Sequence, residues 1–159
     1  MRRFQWDGIA YIDETTHRTM HGTRVVPNDV LLNITGASIG RVACAPLDMT
    51  EGNVNQHVAI IRPVEELHPQ YLMYWLSQPL VQRIILREGK GATRQAITRA
   101  QIMRLEIPLP SLVDQLRIVA HLDHLQAKVD SLKHLQAQTQ LQLEALLPSV
   151  LDRAFRGEL

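Results

Sequence analysis

One stretch of the sequence concentrates positive charge. Residues 83–104 contain six basic side chains and one acidic side chain, a net charge of +5, whereas the whole chain carries +1. Within it, residues 89–95 read Gly-Lys-Gly-Ala-Thr-Arg-Gln, and small residues let backbone amides approach a phosphate closely. Cations that meet phosphates and polar groups that reach bases are what contact with nucleic acid requires, so the stretch is a candidate contact surface. A solvated basic helix and loop is the alternative interpretation. The candidate residues here are Arg83, Arg87, Lys90, Gly91, Thr93, Arg94, Gln95 and Arg99.

Two shorter polar segments add candidate contacts. Residues 35–38 read Thr-Gly-Ala-Ser and are followed by Arg41, and residues 53–57 read Asn-Val-Asn-Gln-His. Hydroxyl, amide and imidazole groups can donate and accept the hydrogen bonds that bases offer. A hairpin turn and turn-forming asparagines explain the two segments equally well. The candidate residues are Thr35, Ser38, Arg41, Asn55 and His57.

The positions of the acidic residues, the histidines and the single cysteine argue against catalysis. Residues 88–90 have an acidic-any-basic pattern, but no aspartate occurs between Met49 and Val113, so a second carboxylate for Mg²⁺ is missing. The two closely spaced histidine pairs lack the cysteines that commonly complete structural zinc sites. Cys44 lies in an apolar run that predicts a buried thiol rather than a nucleophile. We therefore expect no catalytic site, no metal ion and no cofactor.

The elements that position these residues divide near residue 110. Residues 1–110 hold seven of the eight glycines and seven of the eight prolines, and their short apolar runs predict a small mixed α/β domain. A helix is predicted to open at His68-Pro69, where a proline fits the first turn, and a second helix is predicted at Leu80–Arg87, after Pro79 interrupts the first. Thr98 and Gln101 have the spacing of a capping box. Strands are predicted at Phe4–Ile12, Asp29–Ile34, Ile39–Ala45 and Val54–Ile61.

Residues 111–159 predict a separate helical region. No glycine or proline occurs in residues 111–147, which predicts one long α-helix. Ser111 is the expected N-cap, with Asp114 in the first turn. Pro148 is the expected end of the helix.

Apolar residues recur along this helix in steps of four and three. A repeat of 3.5 residues over about four heptads is typical of a coiled coil. A seam exposed in a monomer needs a partner helix, so we expect a homodimer; the alternative is a helix folded back on its own domain. Gln136 and Thr139 interrupt the seam, and polar residues there can set register. The predicted interface residues are Ile118, Leu122, Leu125, Val129, Leu132, Leu135, Gln136, Thr139, Leu143 and Leu146.

Composition also bears on the compartment. The chain of 159 residues has one cysteine, which fits a reducing cytoplasm. Its N-terminus lacks the apolar run of a signal peptide, and no apolar stretch is long enough for a membrane span. We expect a cytoplasmic protein without membrane contact.

Four segments together resemble the specificity subunits of type I restriction-modification enzymes. They are residues 29–41 (Asp-Val-Leu-Leu-Asn-Ile-Thr-Gly-Ala-Ser-Ile-Gly-Arg), residues 55–58 (Asn-Gln-His-Val), residues 91–98 (Gly-Ala-Thr-Arg, then Ile and Thr) and residues 107–118 (Ile-Pro-Leu-Pro, then Asp-Gln and Ile). The resemblance implies a target-recognition domain followed by a long helix. A complete subunit of this kind has two such units, with their helices packed antiparallel as a spacer. Each domain reads half of a split target in double-stranded DNA, methyltransferase subunits dock around the framework, and a nuclease-translocase restriction subunit can join.

The sequence departs from this pattern in three ways. It holds one recognition unit, that unit looks short by a few dozen N-terminal residues, and Asp114 stands where a glutamate is usual. The departures suggest that two copies associate through the helix and replace the missing half by symmetry. The expected function is a non-catalytic DNA specificity subunit or half-subunit. The alternative is an assembly or regulatory protein that dimerises or caps partner subunits without reading DNA.

Overall fold

A computed structural model describes residues 4, 6–89 and 96–157 of the chain. It confirms the predicted mixed α/β class, in which a small sheet and short helices precede one long helix. Two short 3₁₀ turns, at His21–Thr23 and Gly36–Ser38, link the regular elements. The helices are α1 Glu14–Thr19, α2 Pro69–Leu76, α3 Pro79–Glu88, α4 Arg99–Ile102 and α5 Leu112–Phe155, and the strands are β1 Val30–Asn33, β2 Val42–Cys44 and β3 Val58–Ile61.

The sheet has the order β2-β1-β3, and both neighbours of β1 run antiparallel to it. Val30 and Leu32 alternate along β1 and are completely buried, as expected for the central strand of a sheet with one covered face. The predicted pair of strands around residues 35–38 is confirmed, although β2 is shorter than predicted. Because β1 is antiparallel to both partners, its last residue lies at the same end of the sheet as the first residues of β2 and β3.

Helices α2 and α3 cover the sheet. Each begins with a proline in its first turn, as predicted for α2, whereas α3 begins one residue earlier than predicted, at Pro79. Leu76 and Ile85 are completely buried in the same cluster as the core residues of β1. Trp75 is also buried in this cluster, so its ring packs in the core and is not free to stack on bases.

An ion pair between a buried carboxylate and an exposed arginine lies at the opposite end of β1. The Asp29 side chain is completely buried, and both of its oxygens accept hydrogen bonds from Arg62 at 2.8 Å. Its Oδ2 also accepts from the Val26 backbone N–H at 2.8 Å. The bond to Asp29 raises the pKa of Arg62. Burial, and secondarily the charge of Asp29, raises the pKa of the half-buried Cys44 thiol.

The start of α5 is fixed by capping, as predicted. Ser111 Oγ accepts a hydrogen bond from the Asp114 backbone N–H at 3.2 Å and donates to Asp114 Oδ2 at 2.7 Å. The side chain of Asp114 therefore sits at the N-terminus of the helix, where its negative charge is favourable. One turn later, Val119 is buried.

Gln115 joins the first turn of α5 to the segment before α2. Its side chain is completely buried. The amide oxygen accepts from the His68 backbone N–H at 2.8 Å, and the amide nitrogen donates to the carbonyls of Glu66 at 2.8 Å and Pro110 at 2.9 Å. A single side chain therefore satisfies three backbone groups, two in the distant segment before α2 and one just before α5.

The predicted end of the long helix at Pro148 is wrong. The helix continues through this proline to Phe155, giving 44 residues. A proline removes one backbone hydrogen bond and crowds the carbonyl four residues earlier, but it leaves the bonds on either side intact. On an exposed helix, water can satisfy the freed carbonyl.

The strand predicted at Phe4–Ile12 is also wrong. Among the described residues of this segment, none lies in a strand, and residues 6–12 are exposed. Phe4 packs on the small cluster that contains Met49, and its ring meets the Trp6 ring edge-on at 5.0 Å. Alternation alone does not make a strand when no neighbouring strand takes its backbone hydrogen bonds.

The chain forms two compact units, one up to Val119 and one from Ala120 onward. The functional division predicted at residue 110 stays a prediction. In the part of the chain that the structure describes, no helix has both the length and the apolar character needed to cross a membrane.

Candidate nucleic-acid interface

The structure brings four of the predicted contact residues together at one end of the sheet. Thr35 follows β1, and His57 precedes β3; the Thr35 hydroxyl and His57 Nδ1 are hydrogen-bonded at 2.6 Å. The His57 backbone N–H donates to Asn55 Oδ1 at 3.0 Å, which holds the turn before β3. Ser38 lies in the 3₁₀ turn between β1 and β2. We call the surface formed by Thr35, Ser38, Asn55 and His57 the polar edge.

Asn33 organises the polar edge and is absent from the predicted contact residues. Its amide nitrogen donates to Ser38 Oγ at 3.1 Å, and its amide oxygen accepts from the Thr35 backbone N–H at 3.3 Å. An asparagine that bonds the backbone two residues further along is a recognised turn-former, so the sequence Asn-Ile-Thr-Gly carried the signal.

The ends of the glycine-containing segment reach the same place. The Ala96 backbone N–H donates to the Gly89 carbonyl at 3.1 Å, and Ala96 forms an isolated β-bridge with Thr35. The Ile97 N–H donates to the Ile34 carbonyl at 2.9 Å. Gly89 and Ala96 therefore lie next to each other, beside the polar edge. The predicted contacts Lys90, Gly91, Thr93, Arg94 and Gln95 lie outside the described residues.

Gly89 and Gly40 allow this close packing. A Cβ atom on the buried Gly89 would lie 2.8 Å from Ile39 Cδ1. Gly40 has a φ of +83°, a conformation that favours glycine, and a Cβ there would lie 2.5 Å from Gln82 Oε1. Gln82 donates to the carbonyls of Gly40 at 2.8 Å and Leu76 at 2.7 Å, which fixes α3 against the turn before β2.

Arg83 and Arg87 lie on the exposed face of α3. They are four residues apart and therefore neighbours on the helix surface, while Val81 and Ile85 face the core. Neither guanidinium forms an ion pair with any residue in the described ranges. Both charges are therefore available to an external anion.

Arg99 and Arg41 are likewise exposed and, within the described residues, form no ion pair. Arg99 is the first residue of α4, whose predicted capping box is confirmed: Thr98 accepts from the Gln101 N–H, and Gln101 Oε1 accepts from the Thr98 N–H. The Gln101 amide also donates to Glu88 Oε2 at 3.0 Å, which ties α4 to the end of α3. Glu88, the acidic side chain of residues 83–104, is thus hydrogen-bonded within the fold.

Asn53 does not belong to this surface. Its amide nitrogen donates to the Met20 carbonyl and to Thr23 Oγ1, both at 3.0 Å, and its oxygen is bonded to His17 Nδ1. These bonds anchor α1 and the 3₁₀ turn after it, so Asn53 is structural. Across residues 4, 6–89 and 96–157, no three His, Cys, Asp or Glu side chains form a group that could hold a metal ion.

The predicted interface residues all lie on α5. Leu132 and Leu143 are 60% and 63% exposed, and Gln136 and Thr139 lie between them on the same shallow groove. Leu122 is half-buried, and the remaining apolar members of the set are exposed: Ile118, Leu125, Val129, Leu135 and Leu146.

The chain is similar to the type I restriction enzyme EcoBI specificity subunit of Escherichia coli, with 33% identity over 86% of this chain and 29% of the relative. It is also similar to the type I restriction enzyme StySPI specificity subunit of Salmonella potsdam, with 27% identity over 86% of this chain and 30% of the relative. The chain thus spans less than a third of the length of these relatives.

A solved structure of a type I R-M system contains a chain of similar fold. The TM-score is 0.72, with 34% identity over 86% of this chain and 33% of that chain. The family model described as type I restriction modification DNA specificity domain matches residues 20–141. The chain therefore belongs to the family of type I restriction modification DNA specificity domains, which confirms the prediction of a specificity component rather than a catalytic subunit.

Proposed function

We propose that this chain binds one part of a split target in double-stranded DNA and holds methyltransferase subunits around it, with a restriction subunit able to join. The observation that carries the proposal is the closure of Gly89 on Ala96 beside the polar edge, between helices whose arginines form no ion pair with any described residue. The specificity subunits to which the chain is similar support the same assignment.

Phosphate contact is assigned to the basic side chains. Arg83 and Arg87 can engage phosphates of one DNA strand, because guanidinium groups pair with phosphate oxygens through two parallel hydrogen bonds. Arg99 and Arg41 extend the positive surface from α4 and from the start of β2. Lys90, Gly91 and Arg94 supply two further charges and a backbone that a phosphate can approach closely.

The polar edge is assigned to closer contact with the duplex. If Thr35 donates its hydroxyl proton to His57 Nδ1, the opposite ring nitrogen of His57 carries a hydrogen and can donate to a base or phosphate oxygen. Asn55 and Ser38 are already hydrogen-bonded within the turns, so they orient the edge as well as face solvent. Thr93 and Gln95 offer further donors and acceptors.

The long helix is assigned to self-association. The apolar seam from Leu125 to Leu146 is exposed in the single chain, and burial of apolar surface is the main driving force for association. A homodimer would present two recognition units related by a two-fold axis, which matches a target split into two parts.

A fluorescence titration of labelled duplex DNA tests this function. The purified chain is mixed with its methyltransferase subunit, and the dissociation constant is measured at several salt concentrations. We expect R83Q/R87Q to weaken binding by about 10- to 100-fold and to reduce the salt slope by about two, since each phosphate contact contributes close to one.

The matched control is R18Q/R117Q. It removes the same charge, but Arg18 pairs with Glu14 and Arg117 with Asp114. An equal loss of DNA affinity in both variants, or no loss of DNA affinity in R83Q/R87Q, would exclude Arg83 and Arg87 as the phosphate-binding surface. If sequence-selective binding is absent while the complex with the methyltransferase forms, the assembly or regulatory function replaces the proposed one.

A further inference from the structure

The polar interruption of the seam lies at the centre of the helical segment. From Ala120, the first residue of the second unit, to Phe155, the last residue of α5, the midpoint falls between residues 137 and 138. The midpoint between Gln136 and Thr139 is the same. A two-fold axis through this point would pair the whole segment with a second copy of itself.

The hydrogen-bonding groups at this centre are complementary in one arrangement. The Thr139 hydroxyl donates its proton to the Leu135 carbonyl at 3.0 Å, so its oxygen remains an acceptor. The Gln136 side chain has no hydrogen bond within the described residues, and its amide offers two N–H donors. Gln136 of one copy therefore complements Thr139 of the other. In a parallel pair in register, the two Thr139 oxygens would instead face each other without a donor.

The apolar residues agree with the same axis. It places Leu132 against Leu143, Val129 against Leu146 and Leu125 against Val150, all of which are exposed in the single chain. The layers that include Val150 exist only because the helix continues past Pro148. A shift of one heptad in either direction would place Gln136 against a leucine and leave its amide buried without a partner, which disfavours the shifted registers.

Charge favours the antiparallel direction independently. In a parallel coil, Lys128, which directly precedes the seam residue Val129, would contact the residue five positions later on the partner helix. That residue is Lys133, and the contact would occur twice per dimer. The antiparallel axis places Lys128 against Ser149 and Lys133 against Gln140. The like-charge contacts are thereby removed.

We infer that α5 binds a second copy of the chain antiparallel in a single register, with Gln136 of each copy donating to Thr139 of the other. This inference rests on the self-association in the proposed function and specifies its geometry. At 1.5 Å per residue, the register places the two Val119 residues about 55 Å apart along the coil. The central polar layer would therefore fix the distance between the points at which the two helices enter their compact first units.

Disulfide cross-linking tests the register. Cys44 is replaced by alanine in every variant, since it is the one native cysteine. The V129C and L146C variants are unfolded, mixed, refolded together and oxidised. The inference predicts a disulfide-linked dimer in the mixture and none in V129C alone, whose two cysteines would be about 25 Å apart. Cross-linking of V129C alone would show a parallel coil and overturn the inference.

A second pair detects a slipped register. L125C is mixed with L143C, whose cysteines would face each other only if the helices were shifted by one heptad. In the inferred register this mixture should not cross-link. In the Q136L/T139L background the polar layer is gone, and we expect this pair to cross-link because leucine layers no longer specify one register. Cross-linking of L125C with L143C in the native background, without V129C to L146C linkage, would contradict the inference.

Light scattering of the uncross-linked C44A chain distinguishes a failure of the inferred register from a failure of the proposed self-association. A dimer mass together with cross-linking of V129C alone would leave self-association intact and refute only the register. A monomer mass of 18.1 kDa would refute both.

Discussion

The two compact units differ in how their side chains are satisfied. In the unit up to Val119, the completely buried polar side chains have partners: Asp29 is bound by Arg62, and Gln115 bonds three backbone groups. In the unit from Ala120 onward, nearly every described residue is exposed, including most of the apolar residues of the seam. The contacts of the first unit explain its structure, whereas the proposed self-association would cover the exposed seam of the second.

The largest effect should come from a charge in the seam. L132E places a carboxylate opposite Leu143 of the second copy, and two such charges are buried in each dimer without a partner. A cost of several kcal/mol raises the dissociation constant of the dimer by about 1,000-fold or more. Sedimentation over a range of concentrations measures the change.

L141E is the matched control for L132E. Leu141 is exposed to a similar extent, 67% against 60%, but it lies outside the series of steps of four and three. The L141E chain should keep the dissociation constant of the wild type. Equal dissociation of both variants would mean that the seam is not the interface.

The next largest effect should be a loss of stability when Gln115, in the unit up to Val119, is replaced. Q115L keeps the side-chain volume but leaves the His68 N–H and two carbonyls without partners in a buried site. We expect the free energy of unfolding to fall by about 2–4 kcal/mol. Urea denaturation at fixed protein concentration measures it. The control is Q138L, at an exposed position on α5, which should change stability by less than about 0.5 kcal/mol.

A smaller effect is expected at the closure beside the polar edge. In G89A, the new methyl group would meet Ile39 Cδ1 at 2.8 Å, and this buried side chain must shift. We expect a loss of about 1 kcal/mol, together with weaker DNA binding. G22A is the control, because a Cβ at Gly22 meets nothing within 4 Å. If G22A and G89A have the same stability and DNA affinity, close packing at Gly89 does not support the contact surface.

The smallest effect is a pH dependence at Cys44. Burial raises the pKa of this thiol in the folded chain, so the unfolded chain ionises first as the pH rises. The stabilising contribution is complete below the ordinary thiol pKa of 9.0 and is lost above it, through the raised folded value. The stability of the wild type should therefore decline more steeply than that of C44A between pH 8 and 10. Parallel curves for the two chains would remove the thiol as the cause.

Local signals in the sequence predicted much of the fold. The capping box at Thr98 and Gln101, the cap at Ser111, and the helices that begin at Pro69 and Pro79 each depend on residues within one turn. The pair of strands around Thr35 was equally local. For the same reason, Thr35 and His57 could be chosen as polar candidates from the turns that contain them.

Contacts between distant residues could not be predicted. Asp29 and Arg62 are 33 residues apart, and Gln115 reaches His68 across 47 residues, so neither partner is visible in a local pattern. The strand predicted at Phe4–Ile12 failed because a strand needs a neighbour, which alternation does not supply. The closure of Gly89 on Ala96 beside Thr35, which defines the candidate site, depends on the same kind of long-range pairing.

The most direct test of the account is the solution mass of the wild-type chain at micromolar concentration, measured by light scattering. The exposed seam of α5 predicts twice the chain mass of 18.1 kDa, unchanged on dilution to low micromolar concentration. A single mass of 18.1 kDa across that range would contradict the account, because the seam would then be stable in water without a second copy.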